Sequence, residues 1–517
     1  MKRRIMSSKL QIPTAPHLKV DNPTKSNTFK FSSVSDYIKK IKRLRSIVGV
    51  QHLRCDRTPN LYEYYLDQFL REFSDDIRGD CLEFKQYCYA KQSGFENINT
   101  HHIIYINQSN PPQAANVTKQ LNDLPSDTFD CIICPYVLHT IFELKPVISQ
   151  LYRILKPNGV LLVAVPHVSI RNHKSEFWRF TSEGIQTLLE KDFGTQNVTI
   201  RAYGNSLTAA GVVRGLVAEE FTDSELNYHD LRFAPVICAR VIKTSAAPKS
   251  NTVTTPAEET TIASTTKGLR EVLDKLLTPD IYSLLKNVNR FYRRLSLRLG
   301  APIARRRLVL GLEPLSYILG YDRGPDLMRY HLQNQFLPEF AEDIRGHCLE
   351  FEENLYASWF KADRVTKIDV LHVDNSNPRA TLVADLTKPN NLPSNTFDCI
   401  ICTFVLHVIF DVEKAIAELY RILKPGGVLL VAIPQVSIHD YAYEIWRFTP
   451  EGLELLLGRS FKTQNVTIRA YGNSLIAAAA IRGLVVDEFT SSELNYSEPL
   501  FAPVVCARAV KQSPEIT

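Results

Sequence analysis

The sequence predicts two α/β domains in tandem, each a mostly parallel seven-stranded sheet with an antiparallel edge strand. The first observation behind this prediction is an internal repeat, because residues 129–243 recur at 397–511, 268 positions later (397 − 129). The stretch TQNVTIRAYGNSL is identical in the two copies. A period of this length indicates duplicated whole domains rather than a solenoid. The second observation is that short β-rich runs alternate with helical periodicity, which is typical of a parallel sheet with crossover helices.

The elements of the fold are clearest in the second copy. Strands are expected at 347–351, 365–372, 380–386, 397–404, 427–434, 465–472 and 503–511. The segment 411–423 carries apolar residues at i, i+3, i+4 and i+7, which predicts an amphipathic helix. The last two strands are expected to pair in antiparallel fashion at the edge of the sheet.

Composition places the chain among globular proteins. It has 517 residues, 44% of them hydrophobic and 22% charged, which is ample for two cores. Its 10 cysteines are too sparse for a disulfide scaffold, and no apolar run reaches the roughly 20 residues needed to span a bilayer. These features predict a cytoplasmic protein without a membrane span. The net charge of +6 is concentrated in two basic stretches, 39–45 and 290–307, which are better explained as solvated helical faces than as a binding surface.

Changes of composition along the chain predict its domain boundaries. Residues 1–35 are expected to be a disordered tail and 36–55 a basic helix, followed by a first domain at 56–243. A linker rich in Thr, Ser, Ala and Pro is expected at 244–268. A second basic helical segment then covers 269–312, and the second domain covers 313–511.

The most specific motif is ELYRILKPGGVLLVAIP at 418–434, which is mirrored by QLYRILKPNGVLLVAVP at 150–166. The lysine and glycines are expected to end a helix, with the lysine at the negative end of the helix dipole. Together with FDCIICTFVLHVI, the motif resembles the class I S-adenosylmethionine-dependent methyltransferases. The closest similarity is to a type 11-like subfamily found beside glycosyltransferases. Its further motifs are DRG at 322–324, TKIDVLH at 366–372, VADLT at 383–387, WRFT at 446–449 and YGN at 471–473.

This resemblance implies two Rossmann-like methyltransferase domains with S-adenosylmethionine as cofactor. In such folds the ligand lies across the carboxyl ends of the first strands. The resemblance assigns Asp369 to the ribose hydroxyls at the end of the second strand, Asp385 to the adenine, and Glu350 to the amino group of the methionine moiety. The full set implied to bind the cofactor is Glu350, Phe351, Glu352, Asp369, Val370, Asp385, Leu386 and Thr403.

The two copies differ where the ligand would bind. The family has an acidic-x-G-x-G pattern after the first strand, whereas LEFEENLYA at 349–357 and LEFKQYCYA at 82–90 contain no glycine. In the first copy, His102 stands for Asp369, Asn116 for Asp385, and Asn158 for the first glycine of KPGG. The first copy is therefore predicted to be degenerate, with its core kept.

The acceptor site is expected in the segment 437–449. His439 and Asp440 are the predicted catalytic proton acceptors, with Glu444 as a further candidate. Trp446 and Arg447 are the predicted substrate-binding pair. The alternative for these two residues is that Trp446 anchors the core and Arg447 is its salt-bridged neighbour.

Histidine and cysteine supply two more candidates. His139 and His407 follow the fourth strand of each copy and are candidate bases, although a histidine at a helix start is more often packed or capping. The CIIC pairs at 131–134 and 399–402 suggest a metal site, but residues i and i+3 on a strand point to opposite faces. Core packing is the preferred interpretation, and no metal is predicted.

The sequence thus predicts a methyltransferase that acts on a small polar acceptor, such as a sugar hydroxyl or glycan. One alternative is a catalytically inactive tandem pseudo-methyltransferase that serves as an interaction module. A nucleic-acid methyltransferase is disfavoured, because aromatic and basic residues are not interleaved in the basic stretches. The sequence does not determine the oligomeric state.

Overall fold

The computed structural model describes residues 60–85, 97–105, 113–169, 176–244, 311–353, 355–359, 364–438 and 443–513. The predicted tail, the first basic helix and almost all of the linker and second basic segment lie outside these residues. His439 and Asp440 also lie outside them. None of the helices in the described part of the chain is long and apolar enough to cross a bilayer.

The first repeat forms a six-stranded sheet among the described residues, with the order β2-β1-β3-β4-β7-β6. Its strands are β1 Gly79–Lys85, β2 Ile98–Tyr105, β3 Phe129–Pro135, β4 Leu155–Pro166, β6 Val198–Tyr203 and β7 Val236–Ile242. Its helices are Leu61–Glu72, Gln113–Asn122, Leu144–Ile154, Ser182–Phe193, Ser206–Val213 and Asp223–Leu226.

The second repeat forms the predicted seven-stranded sheet, with the order β10-β9-β8-β11-β12-β15-β14. Its strands are β8 Gly346–Phe351, β9 Val365–His372, β10 Leu382–Val383, β11 Phe397–Thr403, β12 Leu423–Pro434, β14 Val466–Tyr471 and β15 Val504–Val510. Its α-helices are Leu327–His331, Leu337–Glu339, Tyr356–Trp359, Val412–Ile422, Pro450–Phe461, Ser474–Ile481 and Ser491–Asn495.

The α/β class, the mostly parallel sheets and the antiparallel pairing of the last two strands at the edge of the sheet are confirmed. β15 pairs in antiparallel fashion with both β12 and β14, so the reversed strand lies one place in from the edge. β7 takes the same place between β4 and β6. The final hairpin inserts its second strand next to the parallel strands, where it is buried on both sides.

The expectation for the KPGG turn is wrong in one respect. The helix Val412–Ile422 passes directly into β12, and the register of β12 against β11 shifts between Leu423 and Val428. Lys424 therefore belongs to the strand, and its Nζ lies 2.7 Å from Oδ2 of Asp398. Lys156 makes the same 2.7 Å contact with Asp130. The lysine thus binds a strand carboxylate and does not cap the helix.

One difference between the repeats is a single inserted residue near the start of the domain. Phe336 lies nine positions after Leu327, whereas Phe69 lies eight positions after Leu61. The first repeat builds this stretch as part of the α-helix Leu61–Glu72. The second repeat accommodates the extra residue as a π-helical turn over Leu332–Phe336. Such turns widen a helix locally and occur frequently at functional sites.

The two repeats share one hydrophobic core. A single cluster of buried side chains includes residues of both sheets, such as Leu161 and Leu429. Two short strands, β5 Trp178–Phe180 and β13 Trp446–Phe448, pair across the repeats as a two-stranded antiparallel sheet. The helices Ser206–Val213 and Ser474–Ile481 also pack against each other. The described parts of both repeats therefore form one body.

Candidate functional site

The carboxyl ends of β8, β9 and β11 meet at one edge of the second sheet. Glu350 lies near the end of β8 and is 1% exposed. Its carboxylate accepts hydrogen bonds from the backbone N–H groups of Tyr356, at 3.0 Å, and Ala357, at 2.7 Å. Burial raises the pKa of Glu350, while these backbone hydrogen bonds oppose the rise. Glu350 thus holds the start of the helix Tyr356–Trp359 against the end of β8.

The loop after β8 keeps a glycine-like backbone without a glycine. Glu352, at the first glycine position of the family pattern, has φ +64°, which L residues rarely adopt. Its carboxylate is largely exposed and lies 3.3 Å from Nε2 of His372. The neighbouring Glu353 pairs with Arg379 at 2.7 Å. The fold therefore imposes the turn that glycine normally provides, and two side chains project from it.

Asp369 does not end the second strand, so this part of the prediction is wrong. β9 continues for three more residues to His372, and Asp369 pairs in register with Leu349 inside the sheet. Its Oδ2 lies 2.7 Å from both His347 Nε2 and Lys367 Nζ. Although burial acts against it, hydrogen bonds from Lys367, His347 and Thr381 hold the pKa of Asp369 below its usual value. The Asp369 carboxylate is thus bound by side chains of the protein itself. The neighbouring Val370 is buried.

In the first repeat, the two positions occupied by His347 and Asp369 carry the same two residue types in reverse. Asp80 occupies the position of His347, and His102 occupies the position of Asp369, as the matching strand registers show. Asp80 accepts a hydrogen bond from Thr100 at 2.7 Å. Hydrogen bonds from Thr100 and Lys156, and the charge of His102, lower the pKa of Asp80. The difference between Asp369 and His102 is therefore accompanied by the reverse exchange, of His347 for Asp80, on the neighbouring strand.

The residues that do lie at the end of β9 are His372 and Asp374, which sequence reasoning missed. His372 ends the strand, and its Nδ1 lies 3.1 Å from Oδ1 of Asp374. The Asp374 side chain is 63% exposed, and its Oδ1 also accepts the backbone N–H of Ser376 at 2.9 Å. The signal was present in the sequence, because the strand was predicted to end at residue 372 and Asp374 is the next acidic residue.

The third strand is shorter than predicted, and its acidic residue forms a local turn. β10 covers only Leu382–Val383, and Asp385 accepts hydrogen bonds from the N–H and the Oγ1 of Thr387 at 2.9 and 2.7 Å. These hydrogen bonds lower the pKa of Asp385. Leu386 is buried in the core. The counterpart Asn116 lies in the helix Gln113–Asn122, with its side chain outside the described residues.

The two repeats carry different side chains at the carboxyl end of the central strand, which is β3 in the first repeat and β11 in the second. In the first repeat, the Tyr136 hydroxyl donates to the carbonyl of Tyr62 at 2.8 Å, and the Tyr62 hydroxyl donates to the carbonyl of Val168 at 2.7 Å. The two rings pack edge to face, with centroids 5.5 Å apart. Tyrosine side chains tied to the backbone therefore occupy the end of β3.

The positions equivalent to Tyr62 and Tyr136 carry no hydroxyl group in the second repeat. Met328 stands for Tyr62 and Phe404 for Tyr136, while Thr403 replaces Pro135 at the end of the strand. Thr403 is half-buried, and its side chain acts to lower the pKa of the nearby Tyr356. The second repeat thus lacks the two tyrosine hydroxyls and carries the polar Thr403 where the first repeat has Pro135.

Trp446 and Arg447 lie at the junction between the repeats. Both are buried, and β13 pairs Trp446 with Phe180 and Arg447 with Arg179. Arg447 forms an ion pair with Glu444 at 2.8 Å and also donates to the carbonyl of Ile438 at 2.9 Å. This placement favours the alternative weighed above, in which the pair is structural.

The candidate base His407 is also buried. Its Nε2 lies 3.4 Å from Oε1 of Glu444, while its Nδ1 has no hydrogen-bond partner within the described structure. Burial lowers the pKa of His407, so the ring is neutral near pH 7. His139 is buried at the equivalent place in the first repeat. Because both repeats keep this histidine, it does not distinguish a working site from a degenerate one.

The cysteines of CIIC lie on opposite faces of the sheet, as predicted. Cys399 packs with Cys348 in one core cluster, and Cys402 packs in another. Burial raises the pKa of Cys402, which keeps this thiol protonated. Within the described residues, no group of three or more His, Cys, Asp or Glu side chains is arranged to hold a metal ion.

The best-defined surface cavities lie away from these residues. A groove of about 600 Å³ follows the edge strand β14, beside Glu339 and Tyr471. A second cavity of about 480 Å³ lies at the amino end of β8, beside Gly346. No candidate site residue lines either cavity, so we base the site on the strand ends and their polar groups.

Comparison with known proteins gives matches in both repeats. A family model described as a methyltransferase domain matches residues 97–163 and 352–431. A ubiquinone/menaquinone biosynthesis C-methyltransferase of Teredinibacter turnerae is 46% identical over 59 residues, covering 11% of this chain and 24% of that protein. An Enterobacter protein of the same name matches to the same extent. The chain thus spans about a quarter of the length of these curated relatives.

Solved structures that match the chain at low identity include methyltransferases. Phosphoethanolamine N-methyltransferase 2 of Haemonchus contortus, in complex with S-adenosyl-L-methionine, is 12% identical with a TM-score of 0.26. That match covers 88% of this chain and all of the other. The YcgJ protein from Bacillus is 13% identical with a TM-score of 0.23, and the match covers 36% of this chain and all of the other.

Proposed function

We propose, from the match of both repeats to a methyltransferase-domain family model, that the second repeat methylates a small polar acceptor such as a sugar hydroxyl, with S-adenosylmethionine as the methyl donor. The first repeat keeps the fold and supports the second through the shared core. The observation that carries this proposal is the difference between the two repeats at the carboxyl ends of β3 and β11. In the first repeat the hydroxyls of Tyr62 and Tyr136 donate to backbone carbonyls there, whereas the second repeat has Met328, Phe404 and the half-buried Thr403.

Three features of the second repeat support binding of the cofactor there. The left-handed backbone at Glu352 keeps the tight turn that lets a nucleotide approach the main chain. Asp374 offers an exposed carboxylate at the end of β9, and a carboxylate can accept two hydrogen bonds from the ribose diol. Asp385 and Leu386 would lie on the adenine side. We therefore assign the ribose contact to Asp374 in place of Asp369.

S-adenosylmethionine supplies a methyl group on a sulfonium, which is already a good leaving group. The protein must then mainly align acceptor and methyl, and correct positioning can supply several kcal/mol. Glu350 contributes by fixing the helix Tyr356–Trp359 at the strand ends. His439 and Asp440 remain the proposed proton acceptors for the hydroxyl. Trp446 and Arg447 would act on the acceptor only indirectly, by holding the segment before β13.

Calorimetric titration of the full chain with S-adenosylhomocysteine tests this proposal. We expect one binding site per chain. Met328→Tyr combined with Phe404→Tyr should abolish binding, because it gives the second repeat the side chains that fill the first. The matched control is Tyr62→Met with Tyr136→Phe, which should leave the single site unchanged. Two sites per chain, or unchanged binding in the Met328/Phe404 variant, would overturn the assignment.

An inactive interaction module is the second candidate. It is favoured by the side chain of Glu352 in a position where the family has glycine, and by the burial of Trp446 in the junction. A folded wild-type chain that releases no heat with either S-adenosylmethionine or S-adenosylhomocysteine would favour the module over the enzyme.

A further inference from the structure

We propose that the groove along the edge strand β14 is a second ligand-binding site, which takes a neutral saccharide. The β14 groove has a volume of about 600 Å³, and its polar lining residues are Gln335, Glu339, Arg469, Tyr471, Asn495 and Ser497. In the sheet order, β11, β12 and β15 separate β14 from β8. Strands lie about 5 Å apart, so the groove is roughly 20 Å from the proposed cofactor site. The proposal therefore goes beyond the proposed function and does not depend on it.

The first repeat packs three aromatic rings at the equivalent place. The ring of His229 has its centroid 6.1 Å from that of Tyr65 and 5.4 Å from that of Tyr203. Tyr203 ends β6 and is only 4% exposed. Since β6 and β14 have the same sequence, VTIRAY, the groove in the second repeat arises from the residues packed against the strand and not from the strand itself.

Two smaller side chains open this place in the second repeat. His331 stands in the position of Tyr65, and Ser497 stands in the position of His229. The ring of Tyr471, which ends β14, is therefore half-buried and lines the groove. An aromatic ring partly open to solvent gives the groove an apolar wall against which a ligand can pack.

Two amide side chains on the rim are oriented by hydrogen bonds. Gln335, on the π-helical turn Leu332–Phe336, donates through Nε2 to Oδ1 of Asn495 at 2.9 Å. Its Oε1 lies 3.0 Å from Nδ1 of the buried His331, and the Tyr330 hydroxyl also donates to Oδ1 of Asn495, at 3.3 Å. Within the described structure both amide oxygens thus already accept hydrogen bonds. The Nδ2 group of Asn495 and the second N–H of Gln335 are therefore directed to donate to a ligand.

The charged side chains of the groove neutralise each other. Its charged lining residues are Glu339 and Arg469, and Nη2 of Arg469 lies 2.6 Å from Oε1 of Glu339. The Tyr471 hydroxyl donates to Oε2 of the same carboxylate at 3.1 Å. The groove thus combines an apolar wall and amide donors with no net charge, as binding sites for small molecules commonly do. A neutral saccharide matches it, because a sugar ring has an apolar face and many oxygens that accept hydrogen bonds.

An extended peptide added to the free edge of β14 is the competing occupant. Such peptides bind through hydrogen bonds to the main chain of the edge strand. In β14, however, Nη1 of Arg469 donates to the carbonyl oxygen of Ile468 at 3.2 Å. A charged side chain thus covers the main chain near the middle of the strand, and charged residues on edge strands hinder strand addition. This contact favours the saccharide.

Binding of the full chain to a glycan array tests the proposal. The array carries neutral oligosaccharides of glucose, galactose, mannose and N-acetylglucosamine, together with sialylated and sulfated glycans. We expect binding to at least one neutral glycan and no preference for the charged ones. Asn495→Ala should weaken this binding about 10-fold, because it removes a hydrogen-bonding partner of the ligand. Asn227→Ala, at the equivalent position of the first repeat, should leave it unchanged.

A second variant closes the groove. His331→Tyr combined with Ser497→His gives the second repeat the two rings that pack together in the first. It should abolish glycan binding and leave the affinity for S-adenosylhomocysteine unchanged, since the two sites lie far apart. A thermal melt checks that the variant is folded. Asn495→Ala changes an exposed side chain and decides the question if the double variant does not fold.

A wild-type chain that binds no neutral glycan would overturn the saccharide site, as would glycan binding that Asn495→Ala and the double variant leave intact. Binding of extended peptides on a peptide array, lost in the same variants, would overturn it in favour of strand addition. Glycan binding that depends on Asn495, in a chain that binds no S-adenosylhomocysteine, would keep the saccharide site and reject the proposed function.

Discussion

Trp178 and Trp446 pack against each other across the junction of the repeats, with ring centroids 5.1 Å apart. They are equivalent residues, and each lies on a short strand that pairs with the other. The contacts around them are reciprocal, because Thr181 donates to the carbonyl of Glu444 and Thr449 donates to the carbonyl of Glu176, both at 2.5 Å. This is the pattern of a symmetric dimer, here built within a single chain.

The junction depends on two glycines, which gives a first prediction. A Cβ at Gly452 would lie 2.2 Å from the carbonyl oxygen of Phe177, and one at Gly184 would lie 2.1 Å from that of Ile445. Gly452→Ala should lower the free energy of unfolding of the full chain by about 1–3 kcal/mol, as overpacking does. Urea unfolding measures this loss.

The matched control is Gly458→Ala in the same helix. Its Cβ would meet a side-chain hydroxyl, that of Thr463, which can rotate away. We expect a clearly smaller loss. Equal losses of unfolding free energy at the two positions would show that contact with the other repeat does not restrict the residue at position 452.

Substitution of Asp369 should affect stability, whereas substitution of Asp374 should affect ligand binding. Asp369→Asn weakens a buried cluster with His347 and Lys367, so it should lower the free energy of unfolding by about 1–3 kcal/mol. It should leave the affinity for S-adenosylhomocysteine unchanged. Asp374→Asn should weaken the binding of S-adenosylhomocysteine and leave the free energy of unfolding unchanged. A loss of affinity in Asp369→Asn at full stability would return the ribose contact to Asp369.

Because the pKa of Asp369 is lowered in the folded chain, its contribution to stability should be present above its unfolded pKa of about 3.9. This contribution should be lost as the pH falls through the lower folded value. The stability gap between wild type and Asp369→Asn should therefore close in acid. A gap that stays constant between pH 7 and pH 3 would contradict this assignment of the charge.

Asp326 gives a pH effect of the opposite sign. Burial raises its pKa to about 6, so the folded chain holds this proton more tightly than the unfolded chain and loses stability as the pH rises from about 4 to above 6. Asp326→Asn, which introduces the residue that caps the same helix in the first repeat, should stabilise the protein by about 2 kcal/mol at pH 8. The gain should vanish near pH 4. Denaturant unfolding at both pH values checks it.

The cysteines should prove structural. Cys399 and Cys402 belong to separate core clusters on the two faces of β11. Cys402→Ala should cost about 1 kcal/mol of stability and leave cofactor binding intact. Metal analysis should find no stoichiometric zinc in the purified chain. Zinc that is lost with either cysteine would contradict the packing role.

Much of the fold could be predicted from the sequence because its signals are local. The runs that became β9 and β11 have the hydrophobic pattern of buried parallel strands, and β9 has the predicted bounds 365–372. The antiparallel pair at the edge was predicted, but the insertion of β15 between β14 and β12 was not, because the neighbours of a strand are set by the whole sheet. Lys424 was misassigned because only the three-dimensional structure shows that Asp398 lies beside it.

The site was harder to predict because its residues are brought together by tertiary contacts. Asp369 was chosen by resemblance, yet its partner His347 lies on a different strand. Trp446 and Arg447 were expected at an acceptor site, and nothing local indicates that the other repeat covers them. Tyr62 and Tyr136 are far apart in sequence, so their joint filling of the first site could not be read from either segment.

The last prediction concerns Glu352, whose backbone has φ +64° at a position where the family has glycine. Glu352→Gly should raise the free energy of unfolding by about 1 kcal/mol, because glycine adopts this conformation without strain. It should also tighten the binding of S-adenosylhomocysteine, since it removes a Cβ and a carboxylate beside the cofactor site. The control is Lys85→Gly, the equivalent change in the first repeat, which should leave binding unchanged because Tyr62 and Tyr136 still occupy that site. Calorimetry and urea unfolding of the two full-length variants decide the matter. Weaker binding in Glu352→Gly would mean that the carboxylate itself contacts the ligand, and the loop would then be an adapted site rather than an impaired one.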